Sequence, residues 1–196
     1  MKVANAGATQ LTTDFRDWAA GQFGTQPQSP VFLLDIQGSR ELKIGTSFAN
    51  PVNAQFGRAF IVHLYRSGKV KNGLDVLRAS SPLRFGTVLV IVAYAAQKNE
   101  WQALIDDLSA AEAPKALIDV RTIDESPSME ADIVIANLGR TSGEGFLSRP
   151  ERIIVMATRA RYAFFIFGSQ GALRRGSHSG LPNRPQVQHL LAGKQA

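Results

Sequence analysis

The chain has no cysteine in 196 residues, which excludes disulfide staples and thiolate metal sites and fits a reducing compartment. Its three histidines, His63, His178 and His189, lie too far apart for the short ligand spacings of a zinc site. No stretch approaches the roughly 18 apolar residues of a spanning helix, and the N-terminal MKVANAGATQLTTDF lacks the apolar run of a secretory signal. A cytoplasmic or nuclear protein without a membrane partner is therefore expected. A G-x-x-x-x-G-K-[ST] phosphate loop is missing throughout, as is the G-x-S-x-G elbow of a serine nucleophile. One sign of charge is also missing from the end of the chain: no acidic residue follows Glu151, whereas Arg152, Arg159, Arg161, Arg174, Arg175, Arg184 and Lys194 do. The net charge of +6 thus belongs to the C-terminal quarter. Such a segment attracts phosphates by counterion release, which makes nucleic acid the natural partner class, with a solubilising tail as the alternative.

What is present suffices for one buried core, with 44% hydrophobic and 19% charged residues. Residues 1–28, rich in Ala, Gly, Gln and Thr, read as a loosely ordered lead-in with one short helix around Asp14 to Ala20. VFLLDIQ at Val31 to Gln37 is a buried strand, followed by a polar connection from Ser39. Asn50 as cap and Pro51 at the first helical position open a helix that carries Phe56, Phe60, His63 and Leu64 and stops near Ser67-Gly68. TVLVIVAY at Thr87 to Tyr94 is the strongest strand, and Trp101, Leu104, Ile105 and Leu108 mark the helix after it. Further strands are expected at Ala116 to Ile123, Ala131 to Leu138 and Tyr162 to Phe167, the first two joined by the short turn DESPSME and the last preceded by a helix from Pro150. Apolar strands alternating with helices imply an α/β fold with a mainly parallel sheet covered on both faces. The Gly-, Ser- and Arg-rich tail, residues 174–196, ends in a short helix with Val187, Leu190 and Leu191. Asp106-Asp107 suits a solvated helix face.

Four segments, TSFANPVNA at Thr46 to Ala54, IVAYAAQ at Ile91 to Gln97, TIDESPSMEADIVI at Thr122 to Ile135 and GFLSRPERIIVMATRAR ending at Arg161, together resemble the second RecA-like domain of superfamily 1 helicases of the RNA-surveillance type. The resemblance runs over most of the chain, about residues 29–173, and implies a RecA-like three-layer sandwich. In the family, P-Y-x-x-Q and Q-G-x-E lie near the nucleotide, which makes Tyr94, Gln97, Glu130 and Arg161 nucleotide-binding candidates. Thr-Arg-Ala-Arg carries an arginine finger that reaches a γ-phosphate held by the first RecA-like domain, a role that falls on Arg159. Thr122 and Arg140 match positions beside the nucleic-acid path, and the basic Arg174 and Arg175 extend it. Both Arg159 and Arg161 are expected on a helix.

Departures from the pattern are as informative. Asn53, Ala93 and Ile154 replace the family's Glu, Pro and Asn, and Pro127-Ser128 occupies the Gln-Gly positions. Proline has no N–H to offer a phosphate, and serine disfavours the positive φ that glycine adopts freely. With no phosphate loop and no Mg²⁺-binding carboxylate from a first domain, the isolated chain is expected not to hydrolyse ATP; ATP and Mg²⁺ enter only with a complementary first RecA-like domain. Three readings follow. The chain is a binding or regulatory module for RNA or single-stranded DNA, with weak and salt-sensitive affinity; it completes an ATPase by lending Arg159 to a phosphate-loop partner; or it is a protein-interaction module that has kept the fold and lost the chemistry.

Overall fold

The computed structural model describes residues 6–24, 30–73, 84–142 and 150–168. Its centre is a five-stranded, wholly parallel sheet in the order β1-β7-β6-β4-β5, made by β1 (Val31–Asp35), β4 (Val88–Val92), β5 (Ile118–Thr122), β6 (Ala131–Asn137) and β7 (Ala160–Gly168). The inner strands β4 and β6 are buried at every position, as strands covered on both faces must be. Alternation sorts their side chains into two cores. Val88, Val90, Ile133, Ile135, Phe165 and Phe167 face the helices α1 (Ala6–Phe23), α2 (Pro51–Arg66) and α3 (Ala95–Asp106). Leu89, Ile91, Val134, Ala136, Phe164 and Ile166 face the other way, toward Met156 of α4 (Pro150–Ala157). The expected α/β sandwich with helices on both faces is what forms.

Local chemistry explains the helix that positions most of the site. Asn50 caps α2, its side-chain oxygen accepting the Asn53 N–H at 3.1 Å, and Pro51 supplies the preset φ of the first turn. Gly68, at φ 65°, turns the chain away after the C-cap Ser67. On the inner face of α2, Gly57 lets the Trp101 indole of α3 lie against the helix backbone: a Cβ there would stand 2.1 Å from the ring.

The structure departs from the sequence-based expectations in four places. The lead-in is not loosely ordered across its length: α1 spans 18 residues, and its buried Leu11, Phe15 and Ala19 recur every fourth residue. The Phe15 ring meets Phe32 and Phe165 edge-on, each at 5.8 Å. Only about one residue per turn is fully buried, with Trp18 and Phe23 packed at the margin, and the surrounding Ala, Gly, Gln and Thr dilute the stripe. The polar connection after Ser39 is a hairpin of β2 (Leu42–Ile44) and β3 (Ser47–Ala49), turned by Gly45 at φ 61°; strands of three residues are too short to show a period. The link between β5 and β6 crosses β4 and runs the length of the sheet, because both strands flank β4 and point the same way. Finally, α4 stops at Ala157, so Arg159 lies in the turn after it and Arg161 in β7 rather than on a helix. Residues 174–196, with Arg174, Arg175 and the expected terminal helix, lie outside the described residues.

Candidate functional site

The candidate residues fall at opposite ends of the sheet. Thr122, Val92, Asn137 and Phe167 are in register at the carboxyl end, while Ala131 pairs with Ala160 at the amino end. Six residue steps of β6 separate the two, about 20 Å. Tyr94, Gln97, Thr122 and Arg140 therefore belong to the carboxyl end, and Glu130, Arg159 and Arg161 to the amino end.

At the carboxyl end the crevice is filled by a buried amide network. Gln97 accepts the Asn50 N–H with Oε1 and returns a bond from Nε2 to the Asn50 carbonyl at 3.3 Å. Asn50 donates to Ser39 Oγ at 2.9 Å and to the Gly139 carbonyl at 3.3 Å. Asn53 donates to Asn137 Oδ1 at 3.4 Å, and Asn137 also accepts the Gly139 N–H at 3.1 Å. These amides have at most 1% exposure, and both polar atoms of the Gln97 side chain are bonded to Asn50. Tyr94 is half-buried with its ring 5.3 Å from Phe48. The Arg140 guanidinium lies 4.1 Å over the same Phe48 ring and bonds to Glu41 at 2.9 Å. Burial opposes the charge on Arg140, but its hydrogen bonds to Tyr94 and Glu41 outweigh it and raise the pKa. Thr122 closes a capping box with Glu125, whose carboxylate accepts the Thr122 N–H at 2.9 Å and both oxygens of which meet Lys98 Nζ, at 2.8 and 2.7 Å.

The amino end is organised by one buried carboxylate. Asp132 accepts the Gly73 N–H at 2.9 Å, the Thr87 N–H at 2.8 Å and the Thr87 hydroxyl at 3.1 Å. Arg161 Nη1 approaches it at 3.4 Å and Arg161 Nε stands 3.9 Å from Glu130. The buried phenols Tyr65 and Tyr162 hold the same region, donating to the Gly86 and Lys69 carbonyls at 3.0 and 2.9 Å; burial above all, with the Asp132 charge adding to it, pushes both phenol pKa values up. Arg159 is tied through its backbone, its carbonyl accepting the Ala131 N–H at 3.0 Å. Its Nε is buried without a hydrogen-bond partner among the described residues.

Residues 6–171 match the family model described as an AAA domain. The chain belongs to that family. Within it, this AAA domain is similar to the Regulator of nonsense transcripts 1 homolog of Drosophila melanogaster, 27% identical over 76% of the chain. It is equally similar to the ATP-dependent helicase upf1 of Schizosaccharomyces pombe, 27% identical over 76% of the chain. The chain spans only 12% and 15% of those two proteins. It also overlays on the C-terminal domain of a possible DNA helicase from Lactobacillus plantarum WCFS1 with 14% identity, a TM-score of 0.41 and coverage of 84% and 86% of the two chains, a likeness too loose to carry weight. The expected kinship to RNA-surveillance helicases therefore stands as a helicase-like domain with a RecA-like fold.

In this AAA domain the four nucleotide-binding candidates are not brought together, since Tyr94 and Gln97 lie a sheet's length from Glu130 and Arg161. Among the described residues no group of three His, Asp or Glu side chains is placed to hold a metal ion, and no helix is long and apolar enough to cross a membrane. Sequence reasoning missed Glu41, Thr141 and Ser142. Glu41 accepts the Thr141 N–H at 2.7 Å, the Ser142 N–H at 3.3 Å and the Ser142 hydroxyl at 2.9 Å besides Arg140. Burial pushes the Glu41 carboxyl up, but these hydrogen bonds together hold it below the usual range. No local pattern foretells a partner a hundred residues away.

Proposed function

We propose that this chain is a nucleic-acid-binding module on a helicase-like AAA domain that does not turn over ATP alone. The observation that carries the reading is the fixed Arg140, stacked on Phe48 beside Tyr94 where β6 ends, since open parallel sheets bind their ligands beyond the carboxyl ends of the strands. A cation held on an aromatic ring gives a phosphate a pre-organised partner, and the C-terminal cations add sequence-independent attraction. That one relative is an ATP-dependent helicase agrees with this partner class. Hydrolysis would need a grip on the triphosphate, and the sequence offers no phosphate loop. The test is fluorescence anisotropy with single-stranded RNA and DNA at 25 mM and 200 mM salt. Binding that weakens steeply with salt is expected; no binding at the lower salt removes the reading.

A second reading, completion of an ATPase in trans, is favoured by one contrast at the amino end. Arg161 is engaged by Asp132 and Glu130, whereas Arg159 Nε has no partner among the described residues. Of the two arginines, Arg159 is therefore the one whose guanidinium keeps an unused donor, which supports it as the group lent to a phosphate on another chain. Mixing with a phosphate-loop first domain should then restore hydrolysis, and Arg159→Ala should cut it by about 10³ or more. Unchanged hydrolysis in the variant mixture eliminates this reading.

A further inference from the structure

The four donors around Glu41 come from three consecutive residues. Arg140 Nε at 2.9 Å, Thr141 N–H at 2.7 Å and Ser142 N–H at 3.3 Å meet one carboxylate oxygen, and Ser142 Oγ at 2.9 Å meets the other. A guanidinium, two successive main-chain N–H groups and a hydroxyl converging on one point make a receptor for a tetrahedral oxyanion, with a carboxylate as its internal substitute. The receptor is rigid from behind. Gly139 at φ 69° turns the chain out of β6, Asn137 holds the Gly139 N–H, the Arg140 N–H bonds to the Leu138 carbonyl at 2.8 Å, and Phe48 supports the guanidinium.

The occupant is held differently. Glu41 immediately precedes β2, which is exposed at all three positions and pairs only with β3. Withdrawing the carboxylate therefore uncovers no core, whereas distorting the receptor would disturb β6. We propose that Arg140, Thr141 and Ser142 form a phosphate-binding cradle and that Glu41 is its built-in stopper, which an incoming phosphate group must displace. For the source of that phosphate, a nucleic-acid backbone, the inference rests on the function proposed above.

Wild type, Glu41→Ala and Glu41→Gln are titrated against a fluorescein-labelled 12-nucleotide oligouridylate, and against inorganic phosphate by calorimetry, with circular dichroism and thermal melting as fold controls. Glu41→Gln keeps the side chain's shape and removes its charge. Both variants should bind the oligonucleotide at least about fivefold more tightly than wild type, with a slope of log affinity against log salt steeper by about 0.7. Adding Arg140→Ala to Glu41→Ala should abolish the gain. Asp106→Asn, which removes one negative charge from an exposed site on α3, should change affinity less than about twofold. An affinity for both probes that is unchanged in the folded Glu41 variants overturns the cradle while leaving nucleic-acid binding intact, and so does a gain that survives Arg140→Ala. A gain for inorganic phosphate alone, with oligonucleotide affinity unchanged, upholds the cradle and overturns the nucleic-acid backbone as the source of its phosphate. No affinity of any variant for either probe defeats both.

Discussion

Three hydrogen bonds join Thr87 and Asp132: the Asp132 carboxylate accepts both the N–H and the hydroxyl of Thr87, and the same hydroxyl oxygen accepts the Asp132 N–H at 3.2 Å. The entries to the two central strands, β4 and β6, are thereby locked in register. Through Gly73, the same carboxylate also anchors the segment that returns from α2.

Asp132→Asn is expected to destabilise the fold by about 2–4 kcal/mol. The amide keeps the shape but turns one acceptor into a donor that faces N–H groups, leaving buried donors unsatisfied. Urea denaturation reads this as a lower midpoint at constant slope, and a midpoint within error of wild type contradicts the anchoring role.

Gly57→Ala should cost about 1–3 kcal/mol, although alanine is the better helix former by about 1 kcal/mol. The added methyl would overlap the Trp101 ring and also approach Phe167 at 2.9 Å, so α2 and α3 must separate. The companion Gly57→Ala/Trp101→Leu should recover part of the loss, and thermal melting of both variants distinguishes overpacking from a local backbone effect.

Ser128→Gly should stabilise the protein by up to about 1 kcal/mol. Ser128 is the one non-glycine among the described residues with positive φ, 63°, and that conformation costs an L-residue about 1–2 kcal/mol. The greater entropy of glycine in the unfolded chain returns part of this gain. A drop in thermal midpoint would mean that the serine side chain holds the turn.

Ser128 also illustrates how the sequence informs and where it stops. The departure from Gln-Gly at Pro127-Ser128 was visible in the chain, and the turn keeps the glycine-like backbone despite losing the glycine. The parallel sheet, α2 with its Asn50 cap and the Trp101 helix were legible because long apolar runs and cap chemistry are local signals. The hairpin β2–β3 was not, since three-residue strands carry no period and Glu41, which fastens the hairpin, finds its partners about a hundred residues away. The site was half legible for the same reason. The family resemblance picked out Gln97, Thr122 and Arg161, but not their partners Asn50, Glu125 and Asp132, and in each case that contact is internal to the fold.

The link from β5 to β6 adds a prediction about acid. Two contacts with Lys98 Nζ, followed by the Thr122 N–H, bring the Glu125 carboxyl down from 4.5 to about 2 against a small opposing effect of burial. A folded-state value below the unfolded one means that the unfolded chain binds more protons between those limits, so stability from this group is complete above about pH 4.5 and is lost as pH falls toward 2. The side chain is 46% exposed, so water and salt screen the pair and its worth is about 1 kcal/mol or less. Glu125→Gln should therefore be less stable than wild type by that amount at pH 7, with the gap narrowing below pH 4.5 and shrinking in 0.5 M salt. Paired urea titrations at pH 7, 4 and 3 measure it. A gap of equal size at all three values would mean that Glu125 acts through its shape and the capping box, not through its charge.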